Sequence, residues 1–142
     1  MNIEFQTEDI ELPQLSYSIV KQWLNEVVGL HHKETGNITV NFCSDDYILQ
    51  VNEQFLNHQY YTDIITFNYS TSKKISGDLL ISLDTVQSNS SLFDTSFQSE
   101  LLRVIVHGVL HLLGFDDKSL EEQKIMRSKE DYCLNLLDNY QV

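Results

Sequence analysis

Apolar residues recur along this chain with two periods, and each switch of period marks a new element. Asn2 to Gln6 ("NIEFQ") alternates, which predicts a short strand. In "LPQLSYSIVKQWLNEVVGLHH", Leu15, Ile19, Trp23 and Val27 recur at helical spacing with Val20, Leu24 and Val28 beside them. Pro13 suits the first turn of that helix and Gly29 its C-terminal stop. Asn37 to Cys43 alternates again and predicts a strand. Ser44 then caps a helix carrying Ile48, Val51 and Phe55. Asp63 to Tyr69 is rich in β-formers, "STSKKISG" reads as a turn or loop, and Asp78 to Leu83 as the next strand, together a hairpin. A short helix follows Asp84. "FQSELLRVIVHGVLHLLG" is apolar on nearly all sides, which predicts a central helix ended by Gly114. In the last helix Ser119 and Glu122 match a capping box, and Ile125, Met126, Tyr132 and Leu136 supply the apolar face.

Strands alternate with helices, and then helices follow helices. This order predicts an α+β fold, one small mixed β-sheet of about four strands packed against a helical layer. With 142 residues and no repeat, low-complexity tract or linker, one domain over residues 1–142 is expected. No apolar run approaches the ~18 residues needed to span a bilayer, and "MNIEFQTEDIEL" lacks the basic-then-apolar order of an export signal. A cytoplasmic protein without a membrane partner is expected, with Cys43 and Cys133 as buried thiols and not a disulfide. The net charge of −12 repels phosphate backbones unless the nine Lys and Arg cluster on one face.

The chemistry concentrates in "VHGVLHLLGFDD", Val106 to Asp117. Helical positions i and i+4 share a face, so His107 and His111 point the same way and can grip one metal ion. After the turn at Gly114, Asp116 or Asp117 can fold back as a third ligand, a His/His/carboxylate set with room left for water. Metalloproteases with an HExxH helix carry a glutamate base after the first histidine; here that residue is Gly108. Peptide hydrolysis is thereby disfavoured against a substrate such as a phosphodiester. A general base would then come from Asp116, Asp78 or the substrate, since a bound metal itself acidifies water.

"HGVLHLLGFDD" resembles the HGxLHLxGYDH signature of the YbeY family of metal-dependent endoribonucleases. "VNEQFLNHQYYTDIITF" is similar to that family's LNxxYRxxDxPTDVLSF segment, "SGDLLIS" to its LGDIxIS strand, and "ELLRVIVHG" and "MRSKEDYCL" to flanking helices. The resemblance runs from about Val40 to Leu137. It implies a zincin-like arrangement around a central metal-binding helix and single-strand-specific RNA cleavage. It implies action in ribosomal RNA maturation at the small-subunit RNA 3′ end and in ribosome quality control, with the small subunit or its assembly factors as partners. It also implies one Zn²⁺ ion per chain. His107 and His111 carry over as ligands and as catalytic residues, Asp78 matches the GD pair as a further catalytic candidate, and the third family histidine falls on Asp117. A carboxylate there lowers the site's charge by one and moves its preference toward harder ions such as Mn²⁺. The family's arginine falls on Leu56 and its proline on Tyr61, so substrate contacts are expected from His58 and Arg103, or from Lys73 and Lys74. The other function to weigh is a ribosome-assembly binding factor with a structural metal and little nuclease activity. Thr62 and Asp63 are expected to cap a strand or line the cleft, and His31 and His32 to sit exposed at a helix end.

Overall fold

The computed structural model describes residues 2–56 and 62–140. The elements run β1 (Asn2–Thr7), α1 (Tyr17–Leu30), β2 (Glu34–Cys43), α2 (Asp45–Leu56), β3 (Ile64–Asn68), β4 (Lys74–Ser82), α3 (Leu83–Leu92), α4 (Phe97–Leu112) and α5 (Leu120–Leu136), then a 3₁₀ turn at Leu137–Asn139. The sheet order is β1-β2-β4-β3. β1 and β4 flank β2 in parallel, and β3 pairs antiparallel with β4 as an edge strand. Parallel neighbours need crossovers, which α1 and the α2–β3 segment supply. The expected α+β architecture is therefore present.

One face of the sheet carries the main core. Ile38, Val40 and Phe42 of β2 and Ile75, Leu79 and Ile81 of β4 meet Trp23, Leu24 and Val27 of α1 and Leu101, Ile105 and Val109 of α4. α4 is buried along most of its length, as its pattern predicts. Gly108 makes that depth possible, because a Cβ there would stand 2.8 Å from Ile64 Cδ1 and 2.9 Å from Leu79 methyls. On the other face, among the described residues, Ile48 of α2 packs on Cys43, Ile65 and Leu80 at one end.

Several expected boundaries move. α1 begins at Tyr17, with Ser16 as its first capping carbonyl, and Pro13 lies upstream in irregular chain. Gly29 does not stop α1; His32 takes the left-handed position (φ 62°) and closes the helix with Lys33 by bonds to Gly29 and Val28. β4 starts at Lys74 because Lys74 and Ile75 pair with Glu34 and Thr35, so "KIS" is strand and not loop. On α5 the buried stripe is Met126, Glu130 and Cys133, while Ile125 and Tyr132 are exposed. Phe55 is also exposed, not core. The capping box at Ser119 and Glu122 forms as expected, and both cysteines are buried free thiols, with burial raising Cys43 to about 12 and Cys133 to about 11.

The end of α4 places the next loop. Gly114 has φ 105°; its N–H reaches His111 O and the Phe115 N–H reaches Leu110 O, both at 3.0 Å, a Schellman closure. Side chains strain this backbone, so Gly114→Ala should cost about 1–2 kcal/mol. Urea denaturation would show the midpoint fall; an unchanged midpoint would mean that the turn relaxes freely.

Candidate metal centre

α4 presents His107 and His111 one turn apart, and the Gly114 turn returns Asp117 to them. The three donor atoms converge: His107 Nε2 lies 3.0 Å from His111 Nε2 and 3.2 Å from Asp117 Oδ2, and His111 Nε2 lies 3.5 Å from the same oxygen. A tetrahedral zinc site with bonds of about 2.0–2.1 Å sets its donors about 3.3–3.4 Å apart. This donor triangle fits that edge length, and its chemistry (two imidazole nitrogens and a carboxylate oxygen) suits the ion. These three residues are also the group of His, Cys, Asp and Glu side chains able to hold a metal among the described residues. Asp116, the other carboxylate left open by the sequence, lines the same crevice but is outside this cluster.

Behind His107 stands a buried chain of charge. Its Nδ1–H donates to Glu130 Oε2 at 2.6 Å, since a carboxylate oxygen can only accept. Glu130 Oε1 in turn accepts from Arg103 Nη1 at 2.8 Å, and Arg103 Nη2 reaches Asp131 at 2.7 Å. This order fixes the imidazole so that its Nε2 lone pair faces Asp117 and His111, the arrangement found behind metal-ligating histidines generally. Burial opposes ionisation of Glu130, but hydrogen bonds from His107 and Arg103 outweigh it and hold the carboxyl below its ordinary range. Burial likewise disfavours the charged imidazole of His107. The hydrogen bond and charge of Glu130, then the charges of Asp117 and Asp63, outweigh it and raise the pKa above 6.5.

The sign of that shift gives a testable pH dependence. A raised His107 pKa means that the proton stabilises the ion-free fold below 6.5, and that this contribution is lost as pH rises through the raised value. A metal ion must displace that proton. Metal affinity should therefore begin to fall, on acidification, at a pH above 6.5. Competition titrations with a chelating dye would measure it; a profile flat down to 6.5 would contradict the shift.

The centre opens into a crevice of about 470 Å³. Its described lining adds Asn52, Thr62, Asp63 and Thr66, with carboxylates but no Lys or Arg. Asp63 joins the crevice as one of the two uses expected for it, and burial raises its pKa against the lowering charge of His107.

The structure separates the other candidates. Asp78 is not in this crevice: Leu79 and Ile81 point to the α4 side, so the alternation of β4 sends Asp78 to the opposite sheet face. Arg103 lies beside the centre but is engaged by Glu130 and Asp131 and does not line the crevice. His58 and Tyr61 lie outside the described residues, as does the side chain of Leu56. Lys73 and Lys74 are exposed at the far hairpin. His31 meets Phe115 edge-on at 5.5 Å, so it is half-buried, while His32 is exposed.

Sequence patterning missed Glu130 as a ligand partner. A signal was available: Met126, Glu130 and Cys133 fall at i, i+4 and i+7, one helix face, and a carboxylate on a buried stripe needs a partner.

Comparison with known proteins agrees with this geometry. The profile described as endoribonuclease YbeY matches residues 2–138, extending the likeness upstream of Val40. An endoribonuclease YbeY of Parabacteroides distasonis is 49% identical over 137 residues, 96% of each chain. That of Phocaeicola vulgatus is 48% identical, covering 95% of this chain and 98% of its own. A Thermotoga maritima protein solved in solution matches with a TM-score of 0.61 at 26% identity, over 95% of this chain and 88% of that one. With likeness of this degree along nearly its whole length, the chain belongs to the endoribonuclease YbeY family.

Proposed function

We propose that this chain is a metal-dependent endoribonuclease that cuts single-stranded RNA, acting in maturation of the small-subunit ribosomal RNA 3′ end and in ribosome quality control. The observation that carries the reading is the convergence of His107, His111 and Asp117 at an open crevice in a chain of the endoribonuclease YbeY family. These three residues hold one ion, for which Zn²⁺ is the first choice and Mn²⁺ the second, given the carboxylate ligand. When bound, the ion supplies Lewis acidity, which lowers the pKa of water and offsets phosphate charge.

The chain's own residues do the rest. Glu130 Oε2 keeps the proton on His107 Nδ1 and so keeps Nε2 free as a donor to the site. Arg103 holds Glu130 and positions it without meeting the substrate. Thr62, Thr66 and Asn52 line the crevice with neutral groups suited to ribose and phosphate oxygens. Asp63, its pKa raised by burial and close enough to feel the charge of His107, is a lining carboxyl able to exchange a proton there. No helix among the described residues is long and apolar enough to cross a membrane; the family's ribosomal RNA substrate supports a cytoplasmic setting.

One observation favours a second reading, a ribosome-assembly binding factor with a structural metal. The described crevice lining is acidic, with Asp63, Asp116 and Asp117 and no Lys or Arg to receive phosphate. Metal removal separates the two. Chelator-stripped protein should leave a 5′-labelled single-stranded RNA intact, and one equivalent of Zn²⁺ or Mn²⁺ should restore internal cleavage. Bound but uncut RNA in the reloaded protein would favour the binding factor.

A further inference from the structure

The sheet face opposite the metal centre holds a second crevice, of about 500 Å³, which the proposed cleavage chemistry does not use. Two rows of side chains cross its floor. Phe67, Asp78 and Thr39 stand in register on β3, β4 and β2, and Leu80 and Asn41 form the next row. Phe55 of α2 and Tyr69, just past β3, stand at its margins 65% and 62% exposed. Aromatic rings left in water around a concave sheet face suit stacking against a flat ligand.

The one charged group of the described lining is the Asp78 carboxylate, which can only accept. Asn41 donates through Nδ2 to Glu8 Oε1 at 2.8 Å, but its Oδ1 is shielded from water and has no partner. With that oxygen shielded, the Asp78 carboxylate is the charged acceptor that a ligand in the crevice meets. Asp78 lines the crevice with Tyr69, and its carboxylate has acceptor capacity for two N–H donors. No Lys or Arg is among the described lining residues, so the crevice does not suit a phosphate.

A flat ligand that brings N–H donors and keeps its charge elsewhere is a nucleobase. Guanine presents N1–H and N2–H side by side, and one carboxylate accepts both. Adenine and cytosine set a ring-nitrogen acceptor beside their amino group, and uracil flanks its single N–H with two carbonyls; each would turn a lone pair on Asp78. The position is also apt. β3 is the edge strand, with Thr66 facing the metal crevice and Phe67 this one, so one RNA strand can pass over that edge between them.

We propose that this crevice binds an unpaired guanine base of the RNA substrate, stacked on Tyr69 and Phe55 and read by Asp78. The proposal deepens the ribonuclease reading and rests on it for the RNA, but its test does not depend on cleavage. Fluorescence anisotropy on the chelator-stripped full chain would compare labelled oligouridylate with the same oligomer carrying one guanosine or one inosine. The guanosine oligomer should bind about tenfold tighter than oligouridylate, within the range of a bidentate base contact, and inosine, lacking the 2-amino group, should fall between. Asp78→Asn should erase the preference while keeping metal content and circular dichroism unchanged. Tyr69→Ala should weaken binding of the guanosine oligomer, and a soluble, folded protein in both variants makes the result readable.

Equal binding of the guanosine and uridine oligomers, or a preference that survives Asp78→Asn, would overturn the proposal and leave this face to a protein partner. The two readings fail separately. RNA cut by the reloaded enzyme without guanosine preference in binding would sink the base site alone. Guanosine preference in a protein that never cuts RNA would sink the ribonuclease reading alone.

Discussion

Glu130→Ala is expected to destabilise the fold by about 3 kcal/mol, the lower end for breaking a buried ion pair from one side. Glu130 is 5% exposed and is the shared partner of two cationic groups, Arg103 at 2.8 Å and His107 at 2.6 Å. Removing it leaves a guanidinium in a largely shielded place, and only Asp131, at 2.7 Å, still meets that guanidinium, which keeps the cost near the lower bound. The same change should weaken metal binding by about 10–100-fold, the usual effect of losing the hydrogen bond behind a histidine ligand. Glu130→Gln separates the two effects. Its amide oxygen can still accept from His107 Nδ1 or Arg103, so most of the stability should return. The carboxylate charge does not return, so metal affinity should stay reduced. Denaturant midpoints and metal titrations of both variants would check this; a Glu130→Ala variant with wild-type metal affinity would show that the His107 ring is set by packing alone.

Asp117→Ala should cost more metal affinity than Glu130→Ala, because it removes a donor and not a group behind one. Two imidazoles then remain, on one helix, in place of three donors able to hold an ion. Fold stability should change little, since the Asp117 side chain is 39% exposed and its partners are the two histidines. Asp117→His should restore binding and shift preference toward Zn²⁺ over Mn²⁺, an imidazole being softer than a carboxylate. Metal content of the three proteins after dialysis against mixed Zn²⁺ and Mn²⁺ measures both effects. Equal content in wild type and Asp117→Ala would remove Asp117 from the site.

The parts of the site that lie on one element were readable in the sequence, and those that need two elements were not. His107 and His111 follow from helical period alone, and Gly114 follows from the need for a left-handed turn after them. Asp117 rather than Asp116 came from likeness to a family signature, and the donor distances agree with it. Glu130 sits 23 residues from His107, on another helix, and no local pattern names its partner. For Arg103 the sequence left two uses open, a phosphate contact at the crevice or a pair with Glu100 or Glu130, and the structure has it paired with Glu130 and Asp131. Asp78 was readable in part, because Leu79 and Ile81 already fix which way β4 alternates, and α4 lies on their side.

The fold shows the same division. α4 was legible because burial on nearly every side leaves a nearly continuous apolar run. The start of β4 was not, because Lys74 and Ile75 gain strand geometry from pairing with Glu34 and Thr35, far upstream in the chain. Phe55 and Tyr132 look like core by period but are exposed, since nothing in the described structure packs over them.

The central claim is that His107, His111 and Asp117 hold one metal ion that RNA cleavage requires. Its most direct test is metal content and single-stranded RNA cleavage measured on the same samples of wild type and His111→Ala. Wild type should retain one ion per chain through dialysis and cut the RNA; His111→Ala should retain none and leave the RNA whole while keeping its circular dichroism. Cleavage that persists in metal-free His111→Ala would contradict the account.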